Sequence, residues 1–263
     1  MRWWPGTPIP RHGGDGAGHP TRGDTLDAVS ARFDCSQDAV RERGLDRATS
    51  AVQTGELVVL PTDTVYGLGC DAFSRSAVAA LLAAKGRGRD MPTPVLIGHA
   101  RTLDGLATEV SPVARELVTA FWPGGLTLVC KAQPSLDWDL GDAYGTVAIR
   151  MPLHPVALQL LERTGPMAVS SANRSGVPPA GTCDDAQEQL GEVVSVYLDA
   201  GPCAGLPSTI VDCTREVPVV LRLGALSLEE LRGVAPSLLG PGNVQPAGAD
   251  TGTEPSVEEA TAE

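Results

Sequence analysis

The chain has 263 residues, 42% of them apolar, enough to build one sizeable core in a single α/β domain. Its formal net charge of −12 argues against a broad electrostatic grip on nucleic acid, which draws its strength from Lys and Arg at phosphates, and leaves room only for a local basic pocket. Cysteines at 35, 70, 130, 183, 203 and 213 form no CxxC pair or usual zinc spacing, and no apolar run approaches the ~18 residues of a membrane span, so a soluble, cytoplasmic chain with reduced structural thiols is expected.

Residues 1–29 are crowded with Gly and Pro and carry no period, so a disordered leader is predicted there. The folded domain is expected over 30–237, followed by a Gly/Pro-rich, then acidic, disordered tail over 238–263. Between these ends short apolar runs alternate with amphipathic stretches, which predicts an α/β sheet with flanking helices. Strands are expected at Leu57–Leu60, Val95–Gly98, Leu126–Lys131, Thr146–Arg150, Met167–Ser170, Val194–Leu198, Thr209–Asp212 and Val219–Arg222. Helices are expected at Ser76–Ala84, Ser111–Trp122, Pro155–Arg163, Thr182–Leu190 and Ser227–Val234. Start signals support three of these: Ser111 precedes Pro112, Thr182 stands three before Asp185, and Ser227 three before Glu230. The last two strands are too close for a helical crossover and should pair antiparallel, so the sheet is mixed. Neither GxGxxG nor GxxxxGK[ST] occurs, which disfavours a plain doubly wound nucleotide fold.

Five strand or helix ends carry chemistry. Leu57–Leu60 runs into PTDTVYGLG, where Thr64 and its neighbours sit either at a ligand or in a tight turn that favours such residues anyway. The next helix delivers Lys85, Arg87 and Arg89, either a phosphate-facing cluster or a solvated helix end offsetting the dipole. The small stock of 20 basic residues favours the first reading. Strand Thr146–Arg150 closes on an arginine whose planar fork suits a carboxylate or phosphate, although a lone strand-end Arg also serves in surface pairs. SSANRSG, with Ser171 and Asn173, follows another strand, and Ser208 and Arg222 repeat the hydroxyl and arginine theme. His12 and His19 lie in the leader, His99 and His154 have no evident partner, and no Ser/His/Asp order or HExxH accompanies them. Positioning and anion stabilisation in a cationic, hydroxyl-lined pocket are therefore expected, rather than covalent or protein-zinc catalysis.

Over residues 45–235 these motifs, PTDTVYGLG, KGR, TVAIRMP, SSANRSG, PSTIVD and LRLG in that order, resemble the YrdC-type L-threonylcarbamoyladenylate synthases, a YrdC/YciO-like family, in a short single-domain form. The resemblance implies a twisted mixed parallel/antiparallel sheet around a deep cationic cavity. It also implies conversion of L-threonine, bicarbonate or CO2, and ATP with Mg²⁺ to threonylcarbamoyl-AMP and pyrophosphate. A separate threonylcarbamoyl transferase complex would then act on tRNA, which this chain would meet only indirectly. It assigns Lys85 and Arg87 to catalysis and the phosphates, with Thr146, Ser171, Asn173 and Arg222 also at ATP and Thr64, Arg150 and Ser208 at threonine, and no protein metal site. Gly88 replaces a proline common after KGR, RDMPTPVL is lengthened, and Gly98 stands where many members carry a histidine. The alternative is a non-catalytic paralogue that binds RNA or nucleotide, whose sign would be loss of Lys-x-Arg or Ser-x-Asn; both are present.

Overall fold

The structure, a computed structural model, describes residues 30–242; the expected leader, and the tail from 243 onward, lie outside the described residues. Eleven strands form one sheet in the order β1-β9-β2-β3-β8-β4-β7-β6-β10-β11, with β5 (Ala107–Thr108) on β6 outside that path. These strands are β1 Ala31–Asp34, β2 Val58–Leu60, β3 Gly67–Asp71, β4 Val95–Leu96, β6 Leu126–Ala132, β7 Thr146–Arg150, β8 Met167–Ser171, β9 Val196–Asp199, β10 Thr209–Asp212 and β11 Val219–Arg222. Pairing is mixed: β9 with β1 and β2 is parallel, β3 with β2 and β8 antiparallel, β6 with β10 parallel. The expected antiparallel pair β10–β11 is present, with a register shift at Ile210/Val211.

Alternation along the strands sorts two apolar clusters to opposite faces. Leu57, Val59, Leu68, Val95 and Ala168 join helices α2 (Arg75–Lys85), α4 (Pro112–Phe121), α6 (Cys183–Leu190) and α7 (Leu228–Val234) on one face. Val58, Leu60, Leu96, Met167 and Val169 join α1 (Asp38–Gln53) and α5 (Pro155–Thr164) on the other, while α3 (Leu103–Leu106) is a single turn. Ser111 caps α4 through the Ala114 N–H, and both Thr182 and Ser227 form full capping boxes, satisfying N–H groups that a helix start otherwise leaves unpaired.

Three strands and two helices escape the sequence reading. GLG in PTDTVYGLG opens strand β3, so the polar stretch before it joins strand to strand, because Gly67 and Gly69 leave room for β8: a Cβ would come within 2.6 Å of Val169 and 2.9 Å of Met167. Helix α1 lacks a side-chain N-cap bond and buries mainly small residues, Gly44, Ala48 and Ala51 beside Leu45 and Val52. At the far end Leu238 is buried and the Leu239 N–H donates to Pro218 O at 3.0 Å, so packing continues past residue 237. All six cysteines are free thiols, and no helix among the described residues is long and apolar enough to cross a membrane.

Candidate active site

Helix α2 ends where Gly86 takes a left-handed conformation (φ 61°), which stops the helix and leaves Lys85 pointing inward, only 3% exposed. The Lys85 ammonium donates to Ser171 O, to Asn173 O at 2.6 Å and to Asn173 Oδ1 at 3.1 Å. Its carbonyl accepts the Ser175 N–H at 2.8 Å. Asn173 spends its amide nitrogen on Arg174 O (3.0 Å) and Val177 O (2.6 Å). Burial, with Arg87 beside it, pulls Lys85 down to about 7.

Arg87 donates from Nη1 to Ser170 Oγ at 3.0 Å and from Nη2 to Pro92 O at 3.4 Å, while its buried Nε has no partner. Its loop is held against the 133–145 connection by Thr93 N–H to Leu140 O and Asp142 N–H to Arg89 O, both 2.8 Å. Arg89 completes that seam with Asp139 at 2.7 Å, a surface role rather than a third inward cation.

Arg150, at the end of β7, is the most enclosed arginine of the site: Nε donates to Gly124 O (2.9 Å), Nη1 to Thr64 Oγ1 (2.8 Å) and Nη2 to Asp63 Oδ1 (2.6 Å). Asp63 Oδ1 also accepts the Leu153 N–H at 2.9 Å, and Thr64 is locked by the Thr62 hydroxyl 3.0 Å away. Across the site Arg222 grips Ser208, from Nη2 to its carbonyl at 2.7 Å and hydroxyl at 3.2 Å. Thr127 donates to that same hydroxyl at 2.9 Å.

Burial depresses the pKa of all three guanidiniums, and their mutual repulsion links them: Arg222 acts on Arg87, and Arg150 on Arg222. Asp63 opposes the depression at Arg150, and the more distant charge of Asp90 at Arg87. Among the described residues neither Arg87 nor Arg222 is within ion-pair distance of a carboxylate, whereas Arg150 is paired. The arrangement is two cations on neutral oxygens beside one neutralised cation, which suits an anion with several charges.

Of the residues singled out by sequence, Thr64, Arg150, Ser208, Arg222 and Arg87 lie in this linked cluster, and Ser171 and Asn173 join it through Lys85. Thr146 stands apart: its hydroxyl donates to Ala143 O at 2.7 Å, four positions before Arg150 and so roughly 13 Å along the strand. Tyr66 is not a pocket phenol, because its ring is fully buried and its OH donates to Gly201 O at 2.7 Å. Gly98 packs so closely on α5, a Cβ meeting Glu162 N at 3.2 Å, that a histidine there would need the helix to shift. The sequence reading missed Asp63, Ser170 and Thr127 as partners. Asp63 had a signal, a carboxylate set among the hydroxyls of PTDT, and Ser170 had one as the first residue of SSANRSG, while Thr127 sits inside a strand run.

Comparison with known proteins follows the same outline. A family profile for Sua5, YciO and YrdC proteins, described as "Telomere recombination", matches residues 50–224. A Mycobacterium tuberculosis protein named putative threonylcarbamoyl-AMP synthase is 59% identical over 209 residues, covering 78% of this chain and 95% of the relative. The Bacillus subtilis threonylcarbamoyl-AMP synthase is 36% identical over 212 residues, 80% of this chain and 60% of its own length. P. abyssi Sua5 in complex with L-threonine superposes with a TM-score of 0.73 at 34% identity, over 81% of this chain and 62% of that one.

Proposed function

The chain belongs to the Sua5/YciO/YrdC family, and from that premise and the arginine cluster we propose that it is a threonylcarbamoyl-AMP synthase, a nucleotidyltransferase of tRNA modification. The observation that carries the site assignment is the pair Arg87 and Arg222, half-buried, mutually repelling and without an ion-pair partner among the described residues. A polyphosphate answers that arrangement, because it supplies several negative charges where the protein brings no carboxylate within ion-pair distance among the described residues.

In this reading the threonine amine combines with CO2 to a carbamate, whose oxygen attacks the α-phosphorus of ATP while the bond to pyrophosphate breaks. Arg87, Arg222, the Ser171 hydroxyl and Thr146 serve the nucleotide side, with Lys85 and Asn173 behind them. Arg150, Thr64 and Ser208 serve the threonine side, Arg150 meeting the carboxylate with N–H groups of its fork that Asp63, Thr64 and Gly124 leave over. The protein contributes position and charge, and no group forms a covalent bond to substrate. Mg²⁺ would arrive on the ATP phosphates, because it is usually bound through substrate phosphates and waters with few protein ligands. The product would pass to a threonylcarbamoyl transferase complex, and the chain would act in the cytoplasm without binding tRNA itself, in keeping with its acidic charge.

The test incubates the purified chain with MgATP, L-threonine and labelled bicarbonate and follows pyrophosphate and labelled adenylate. Stimulation of pyrophosphate release by threonine and bicarbonate together is expected; its absence removes the synthase reading and leaves a nucleotide-binding relative.

A further inference from the structure

The Lys85 ammonium has three N–H groups, and three protein oxygens take them: Ser171 O, Asn173 O and Asn173 Oδ1. It is nearly inaccessible, and its own carbonyl ties down the Ser175 N–H. Asn173 is equally committed, because its carbonyl and side-chain oxygen face Lys85 and its amide nitrogen closes the turn on Arg174 O and Val177 O. The other two members of the Lys-x-Arg and Ser-x-Asn motifs differ. Arg87 is only half-buried and has an unpartnered N–H, and the Ser171 hydroxyl makes no hydrogen bond among the described residues.

We propose that Lys85 and Asn173 are positioning residues, a buried brace that sets the 171–177 turn against the end of α2, and that Arg87 and the Ser171 hydroxyl make the contacts to the nucleotide. The inference rests on the synthase reading for its substrate but not for its geometry. An ammonium reaching phosphate would have to abandon oxygens that then lie buried without a donor, a costly exchange. Left in place, it joins two segments of the chain that sequence separates by 86 positions. Asn173 suits the brace because its amide accepts from the ammonium and donates to two carbonyls at once, whereas an ionised Asp donates to none and Ser to only one.

The test compares the full chain, Lys85→Met and Asn173→Ala by amide hydrogen exchange with no ligand present, below pH 7 where Lys85 carries its proton, beside turnover. The brace predicts that both variants raise exchange of the peptide covering 172–177 about tenfold or more, as loss of charge-assisted bonds requires, while β6 and β10 keep their protection. It also predicts that the double variant loses no more kcat/KM for ATP than the worse single one, because both act through one turn. If ligand-free exchange is unchanged in the variants while turnover collapses, or if the two losses multiply, the contacts are direct and the inference is wrong. If Lys85→Met does not fold, the Asn173→Ala exchange decides alone, since that change leaves the ammonium two of its acceptors. Failure of the wild type to make adenylate would count against the synthase reading, and the exchange result would still judge the brace.

Discussion

Replacing Asp63 by Ala should cost the fold far more than a surface ion pair would. The Arg150 and Asp63 side chains are 7% and 17% exposed and meet at 2.6 Å. After the change Arg150 keeps only the neutral acceptors Thr64 Oγ1 and Gly124 O, and it also faces the like charge of Arg222. Breaking such a buried pair from one side costs about 3–5 kcal/mol, because the remaining charge stays enclosed and uncompensated. In a domain of this size each kcal/mol moves Tm by about 2–4 °C, so thermal unfolding followed by circular dichroism should shift down by roughly 6–20 °C. Adding Arg150→Met to Asp63→Ala should restore most of that stability, since neither charge of the pair is then left enclosed without the other, yet leave threonine-dependent turnover abolished. A loss below about 1 kcal/mol, the range of exposed pairs, would refute the enclosure on which the argument depends. So would a double variant no more stable than the single one.

Gly224→Ala should inactivate more than it unfolds: a Cβ there would sit 2.1 Å from Pro207 O and 2.8 Å from the Ser208 carbonyl carbon, so backbone must move and carry Ser208 away from Arg222. A fall in kcat/KM larger than the stability loss explains is expected, read from pyrophosphate release alongside urea unfolding. Thr182→Ala removes one capping box, on a helix that carries none of the candidate site residues, and should lower stability by about 1 kcal/mol with turnover unchanged. The pH dependence of stability should carry a mark of Lys85, whose value of about 7 in the folded chain lies below its ordinary 10.5. Between those values the unfolded chain binds more protons, so this group makes stability rise with pH, and subtracting the Lys85→Met profile from the wild type should expose that slope. A flat difference would show that the ammonium stays charged throughout.

Much of the fold was legible because apolar runs and caps act locally. Thr146–Arg150 and Thr209–Asp212 have the strand bounds expected of them, and Thr182 and Ser227 start helices as their spacing with Asp185 and Glu230 requires. Two of the failures, β3 and α1, share one cause, small residues whose role is set by what packs on them. Gly67 and Gly69 read as punctuation because their lack of a side chain is useful only once Val169 and Met167 of β8 lie across them. Gly44 in α1 is likewise explained only by Phe33, which a Cβ would approach to 2.8 Å. At the site, residue types and strand ends named candidates but not their partners. Nothing within PTDT says that Asp63 answers an arginine 87 positions later, and nothing within KGR says that Lys85 is taken up by two backbone oxygens and the Asn173 side chain.

That difference in partners matters more than the number of cations. Arg150 and Arg222 look alike in sequence, each an arginine closing a β-strand, yet one is given a carboxylate and the other only oxygens of Ser208. Two unit charges about 4 Å apart near a protein surface interact by roughly 4 kcal/mol, so pairing with Asp63 takes away most of the attraction Arg150 could offer a distant anion. It leaves the planar fork, which selects by geometry at contact and suits a single carboxylate held in one orientation. Arg87 and Arg222 keep their charge and repel each other until an anion arrives, so the attraction for a polyanion concentrates between them. In a chain of net charge −12, attraction for the proposed polyphosphate has to come from a local patch, and withholding carboxylates from two of the site's three arginines would supply it without making the surface basic.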